Sequence, residues 1–361
     1  MKTVQVQIVQ HLKPGGIEAL SLEFCQQTDV VVYVVSLEGS KDQALAQWPR
    51  LKEFSSQLIF LNKAPGTSLR CVWALVKLLR RLGANLVHTH HIGPLLYGGL
   101  AARLAGIRHL HTEHDAWHLD LPRHSNITGF CLRWLKPIVV ADAEAVAVQF
   151  AQHFPDYPCQ VIENGINTER FTIASQQVAR RQLGLPQKVQ LIGCAARLHP
   201  VKGHITLLQA LLHVPQQVHL VLAGTGEMAD TLQQFCQTNG LSERVHFLGH
   251  VDQMPMFYQS LDLFCLPSLH EGMPLSALEA QSCGKHVVLT DVGGCKHCIT
   301  ATSGLLVPPN APIPLAKALQ TMLQQSASTA PRTYVVQQRS VALMLQRYKT
   351  LGTAETLLVG G

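Results

Sequence analysis

The sequence predicts an α/β protein built from two doubly wound domains, and three observations carry that expectation. Apolar β-branched runs alternate with helical patterns in both halves of the chain, the signature of parallel sheets covered by helices. A length of 361 residues exceeds what one hydrophobic core usually serves. Hydrophobic residues at 47% against charged residues at 14% exclude a disordered chain.

In the first half, strands are expected at Val4–Val9, Val30–Ser36, Leu58–Leu61, Leu86–Thr89, Arg108–Thr112 and Ile138–Ala141. In the second half they are expected at Val189–Ala195, His219–Ala223, Val245–Leu248, Leu261–Leu266 and His286–Thr290. The polar stretch Thr168–Pro186 bridges the halves and carries little sheet signal, which puts the domains at residues 1–166 and 167–334. The start, Met1 to Val9, alternates like a strand and lacks the apolar core of a signal peptide. No apolar run approaches the roughly 18 residues of a membrane span. Ten scattered cysteines fit free thiols in a cytoplasmic protein.

The segment Pro267-Ser-Leu-His-Glu271-Gly272-Met-Pro274-Leu275-Ser276-Ala-Leu-Glu279 follows an apolar strand. Pro274 suits a first helical position, so the free N–H groups of Leu275 and Ser276 would face an anion. Glu271 and Glu279 are eight positions apart, roughly 12 Å on a helix. That is too far to flank one glycosidic bond as a hydrolase does, but well spaced to hold two ends of one long ligand. Two acids flanking an anion pocket suggest a nucleotide-sugar site. After the strand Val189–Ala195, Arg197 and Lys202 supply a planar fork and a point charge suited to a diphosphate. Gly224-Thr-Gly226-Glu227-Met-Ala229 matches a dinucleotide-binding G-x-G-x-x-A. Its position deep in the second half, with only Glu243 near the spacing of a ribose-binding acid, favours instead the wall of a nucleoside pocket completed by Gly249 and His250.

These stretches resemble glycosyltransferase family 4, a retaining group with the two-domain GT-B fold. The match runs from Pro14-Gly15-Gly16-Ile-Glu18, through Val161-Ile-Glu-Asn164-Gly165, Arg197…Lys202-Gly203 and Glu271…Glu279, to Ser303-Gly304-Leu-Leu-Val-Pro308. The resemblance implies two Rossmann-like domains facing across a cleft, with a C-terminal helix at about 335–350 packing back on the first. It implies a metal-independent hexosyltransferase that moves a sugar from a nucleoside-diphosphate donor to an acceptor hydroxyl. Cell-surface polysaccharide or glycolipid synthesis is the expected setting, with a saccharide or lipid-linked acceptor and no cofactor. Glu271 is expected on the donor sugar, Glu279 on the ribose and Gly272 in the loop between them. Gly15 and Gly16 would reach the diphosphate, and His114 would line the sugar. One departure is Gly293-Gly294-Cys295-Lys-His297-Cys298, where relatives carry an acid soon after the glycines; as a lone C-x-x-C it is a weak zinc signal. The absence of any Asp-x-Asp argues against a metal-chelating design.

An epimerase of similar fold would use nearly the same clamp, and the G-x-G-x-x-A keeps an NAD-dependent dehydrogenase as an alternative. A non-catalytic nucleotide-sugar-binding partner protein is a third. Net charge is +6, and no acid occurs between Glu53 and Glu113. Leu69 to Leu82 reads there as an amphipathic helix with Arg70, Lys77, Arg80 and Arg81 on a basic face. An anionic membrane surface, on the inner face, is the expected partner. Nucleic acid is not, because no dense basic cluster interleaves with aromatics.

Overall fold

The computed structural model describes residues 2–326 and 328–353, and the chain divides into two compact units, 1–163 with 345–361, and 164–344. In the first, strands β1 (Thr3–Val9), β2 (Val30–Ser36), β3 (Leu58–Phe60), β4 (Leu86–His90), β5 (Arg108–Glu113), β6 (Ile138–Ala141) and β7 (Cys159–Val161) form one sheet. Its order is β3-β2-β1-β4-β5-β6-β7, with all pairings parallel. Between them run α1 (Gly16–Glu23), α2 (Lys41–Gln47), α3 (Leu69–Leu82), α4 (Ile92–Ala105), α5 (Pro122–Leu135) and α6 (Glu144–His153).

The second unit contains α7 (Gln176–Gln182), β8 (Gln190–Ala195), α8 (His204–Leu211), β9 (Val218–Ala223), α9 (Ala229–Thr238), β10 (Val245–Gly249) and α10 (Met254–Ser260). It continues with β11 (Leu263–Leu266), α11 (Leu275–Ser282), β12 (His286–Thr290), β13 (Gly304–Val307), α12 (Pro312–Leu323) and α13 (Ala330–Gln338), while α14 (Val341–Thr353) begins in it. The sheet order is β10-β9-β8-β11-β12-β13, again parallel throughout. Each order reverses once, between β1 and β4 and between β8 and β11, and ligands of such sheets bind outside the strand ends at that reversal.

Strand placement follows burial on both faces, which demands continuous apolar runs. β2 is Val-Val-Val-Tyr-Val-Val-Ser, and Val34 and Val35 are fully buried. α3 turns Val72, Leu75, Val76 and Leu79 onto Val6, Ile8 and Val87. Burying each leucine contributes roughly 1.5–3 kcal/mol. Ser68 caps the start of α3, its Oγ accepting from the Cys71 N–H, and Gly83 ends it in the left-handed conformation.

Several expectations are corrected. Residues 168–186 lie in the second unit, as the expected bounds 167–334 placed them, and do more than bridge: Arg180 on α7 donates to Ser260 O at 2.8 Å and to Asp262 Oδ2 at 2.7 Å. β11 begins at Leu263 rather than Leu261, because Leu261 ends α10 and the Asp262 carboxylate accepts from the Leu191 N–H. β7 was not anticipated, since three residues are too short to show alternation. The division falls at Glu163, and 335–344 stay with the second unit. Only the later part of α14 joins the first unit, where Thr112 Oγ1 and Tyr348 Oη lie 2.9 Å apart.

Candidate active site

The loops after β8 and β11, the strands flanking the reversal, hold the expected clamp and acids. A side chain at Gly203, which sits at φ +66°, would place Cβ 2.0 Å from Pro267 O, so backbone meets backbone between these loops. The Leu269 N–H donates to Val201 O at 2.7 Å and completes the join. Lys202 Nζ consequently lies 2.6 Å from Glu271 Oε1. The Ser268 Oγ–H donates to the same oxygen at 2.6 Å, and Ser268 is itself fully buried. Lys202 and Glu271, given separate duties from the sequence, thus form one ion pair. The pair fixes the carboxylate and partly neutralises the ammonium. Arg197 is exposed; its carbonyl accepts the His199 N–H at 2.8 Å, and its side chain makes no hydrogen bond or ion pair among the described residues.

α11 begins at Leu275, and Pro274 stands before it as the N-cap rather than at the first helical position. Its φ of −73° and ψ of 101° are extended, and its carbonyl accepts the Ala277 N–H at 3.2 Å. The Leu275 and Ser276 N–H groups remain outside the helical ladder, as any first turn leaves them. One turn on, Glu279 Oε2 accepts the Tyr258 O–H at 2.6 Å. Burial first, and the Glu279 charge second, raise the Tyr258 phenol well above its usual value, so it stays a donor. The sequence reading missed Tyr258 and Ser268. A hydroxyl on the otherwise apolar Phe257–Tyr258 pair was the available signal, because a buried Tyr needs a partner.

The G-x-G-x-x-A loop has a structural duty. Cβ at Gly224 would lie 2.0 Å from Ala196 O, and at Gly226 2.4 Å from Leu198 O. The Leu198 N–H donates to Thr225 O at 2.9 Å, the Met228 N–H to Leu198 O at 3.0 Å, and the Gly224 N–H to Gly249 O at 2.8 Å. The glycines therefore lace the loops after β8, β9 and β10 together around Arg197. Gly272 O accepts the Gly294 N–H at 2.9 Å, which ties the acid loop to the segment after β12. There Cys295 and Cys298 are fully buried, burial pushing the Cys295 thiol up to about 12. Among the described residues no group of three or more His, Cys, Asp or Glu side chains could hold a metal ion.

In the first unit Gly15 caps α1 with extended backbone, and an added Cβ would lie 2.3 Å from Glu18 Oε2, the movable end of a side chain. Gly16 opens the helix, and Glu18 lies 3.2 Å from His11 Nδ1. His114 follows β5 and is 9% exposed, with both ring nitrogens engaged: Nδ1 to Asp142 Oδ2 at 3.0 Å, and Nε2 to His90 Nδ1 at 2.9 Å. Nearby Glu113 shows how strongly neighbours act. Burial alone would raise its carboxyl, yet His111 and His118 hold it down at about 2.

Two family models match nearly the whole chain: Glycosyltransferase Family 4 over residues 14–170 and Glycosyl transferases group 1 over residues 175–336. The UDP-Gal:alpha-D-GlcNAc-diphosphoundecaprenol alpha-1,3-galactosyltransferase of Escherichia coli is 29% identical over 64% of this chain and 64% of its own. A D-inositol 3-phosphate glycosyltransferase of Corynebacterium jeikeium is 34% identical over 65% of this chain and 63% of its own. The chain thus spans just under two thirds of each of these relatives. The crystal structure of Anabaena Alr3699/HepE in complex with UDP and glucose superposes with a TM-score of 0.84 at 22% identity, covering 97% of this chain and 99% of that one.

Proposed function

Because the chain belongs to glycosyltransferase family 4 and carries its two Rossmann-like GT-B domains, we propose that it is a retaining, metal-independent glycosyltransferase. It moves a hexose from a UDP-sugar to an acceptor hydroxyl in polysaccharide or glycolipid synthesis. The observation that carries this is the convergence of Arg197, the Lys202–Glu271 pair and the start of α11 on the β8/β11 reversal. Arg197, Lys202 and the Leu275 and Ser276 N–H groups neutralise the departing diphosphate, an electrostatic contribution usually among the largest in such sites. Glu271, oriented by Lys202 and Ser268, holds sugar hydroxyls, and Glu279, oriented by Tyr258, holds the ribose. The acceptor attacks from the face the diphosphate leaves, so no enzyme nucleophile is required.

A uridine donor is supported by the UDP-Gal and UDP named for the relatives, and a lipid-linked acceptor by the diphosphoundecaprenol of one. Against a dehydrogenase stands the packing of Gly224 and Gly226 on protein carbonyls, with Glu243 ahead of β10. The test is release of UDP from UDP-galactose and UDP-glucose with and without saccharide and lipid-linked acceptors. Acceptor-dependent release is expected, and acceptor-independent sugar interconversion would identify an epimerase instead. The cationic clamp predicts full activity in EDTA; loss that magnesium or manganese restores would refute metal independence.

α3 presents a membrane-facing surface. Leu69 is 80% and Trp73 58% exposed, beside exposed Arg70, Lys77 and Arg81, while Arg80 donates to Leu104 O. No helix among the described residues is long and apolar enough to cross a membrane. Each well-placed basic residue adds about 1 kcal/mol of attraction to an anionic leaflet. Lys77→Glu with Arg81→Glu is therefore expected to release the protein from anionic vesicles in co-sedimentation while leaving donor binding unchanged. Failure of the wild type to pellet at low salt would eliminate this surface.

A further inference from the structure

A line of buried polar side chains crosses the carboxyl ends of β1, β4, β5 and β6. Gln7 Oε1 lies 2.7 Å from His90 Nε2, His90 Nδ1 lies 2.9 Å from His114 Nε2, and His114 Nδ1 lies 3.0 Å from Asp142 Oδ2. Gln7 and His90 are fully buried, Asp142 is 2% exposed and His114 9%. Buried polar groups cost free energy unless each is satisfied, so the placement of protons along this line is constrained.

We propose that Asp142 and His90 are positioning residues for His114. Asp142 keeps a proton on Nδ1, and His90 holds the Nε2 place that a sugar hydroxyl takes on reaching the ring. The proposal rests on the glycosyl-transfer reading, in which His114 lines the donor sugar.

The proton count follows from the geometry. An ionised Asp142 only accepts, so His114 Nδ1 carries hydrogen. One proton lies between the two imidazoles. If both rings are neutral, His90 Nδ1–H donates to His114 Nε2, and His90 Nε2 needs a donor. The Gln7 amide supplies one after a half turn, which breaks no other bond because its Nε2 has no partner. If one proton is added, His90 Nε2–H donates to Gln7 Oε1, His114 Nε2–H donates to His90, and the imidazolium sits against Asp142. The surroundings oppose that proton. His88 and His91 next to His90, His111 from β5 and His11 beyond β1 are all basic, while Glu113 and Asp142 favour it and the Tyr348 ring of α14 packs against His88, tilted by 41°. Burial first, then His88, His114, His91 and His111, hold His90 well below its usual value. With both rings neutral, His114 Nε2 is an acceptor, and a hydroxyl that displaces His90 donates to it.

Nitrogen NMR of the full chain labelled in its histidine rings tests this. His114 is expected as the Nδ1–H tautomer, and Asp142→Asn, whose amide donates, converts it to Nε2–H. The same variant lowers kcat/KM for the donor roughly tenfold or more, the usual effect of misdirecting one buried hydrogen bond. His90→Gln, which still offers an N–H to His114, retains more activity than His90→Leu and keeps the tautomer. Adding UDP-glucose or UDP-galactose shifts the His90 Nδ1 resonance, whereas UDP alone does not. A wild-type Nε2–H tautomer, or an Asp142→Asn enzyme unchanged in tautomer and kcat/KM, overturns the positioning role. Equal shifts with UDP and UDP-sugar overturn the displacement. If no donor supports transfer, the glycosyl-transfer reading fails, while the tautomer still decides the assignment of Asp142.

Discussion

Alanine at Arg197 lowers glycosyl transfer by roughly 100-fold or more, the range for removing one preorganised donor from a developing negative charge. The expectation is sharpened by what Lys202 does in the fold. Its ammonium lies 2.6 Å from Glu271, so much of its charge is already balanced within the protein. Arg197, whose exposed side chain makes no hydrogen bond or ion pair among the described residues, brings an unbalanced cation to the loop after β8. Folding is expected to change by about 0.5 kcal/mol or less, as for other exposed side chains. Initial rates at saturating donor, paired with thermal unfolding, make the comparison. Near-normal turnover in Arg197→Ala would remove the diphosphate assignment, and a large drop in the unfolding midpoint would reassign Arg197 to structure.

The second large effect is on stability and comes from Gly203→Ala. The left-handed backbone costs a non-glycine residue roughly 1–2 kcal/mol, and the added Cβ would sit 2.0 Å from Pro267 O, which belongs to a backbone rather than a movable side chain. Separating the loops after β8 and β11 also pulls Lys202 from Glu271. A loss of at least about 3 kcal/mol in urea unfolding is expected, near the top of the range for single substitutions, together with loss of transfer. Gly240→Ala is the control: φ is +69° there, but a Cβ would meet nothing within 4 Å. Its cost should therefore be the conformational part alone. Equal losses in the two variants would show that the loop contact contributes little.

The strands were legible because parallel sheets buried on both faces write themselves as unbroken apolar runs. Val30–Ser36, Ile138–Ala141 and His286–Thr290 were placed at the observed bounds. The candidate acids and cations and the helix start were legible as residue types at a strand's carboxyl end. Pro274 was misplaced by one position, since proline suits the N-cap as well as the first turn and only the Ala277 N–H bond to its carbonyl distinguishes them.

By itself the sequence determined the α/β class, the two-domain plan, the family and the candidate site loops, because these depend on periodicity and on neighbours in the chain. Only the tertiary structure decided which polar groups share a bond. Lys202 and Glu271 are 69 positions apart, Tyr258 and Glu279 21, and His114 and Asp142 28. No local pattern encodes such pairings. They arise where the β8/β11 reversal brings loops together in one unit and where the ends of β4, β5 and β6 lie side by side in the other. Burial there leaves each polar atom few partners other than the ones the packing supplies.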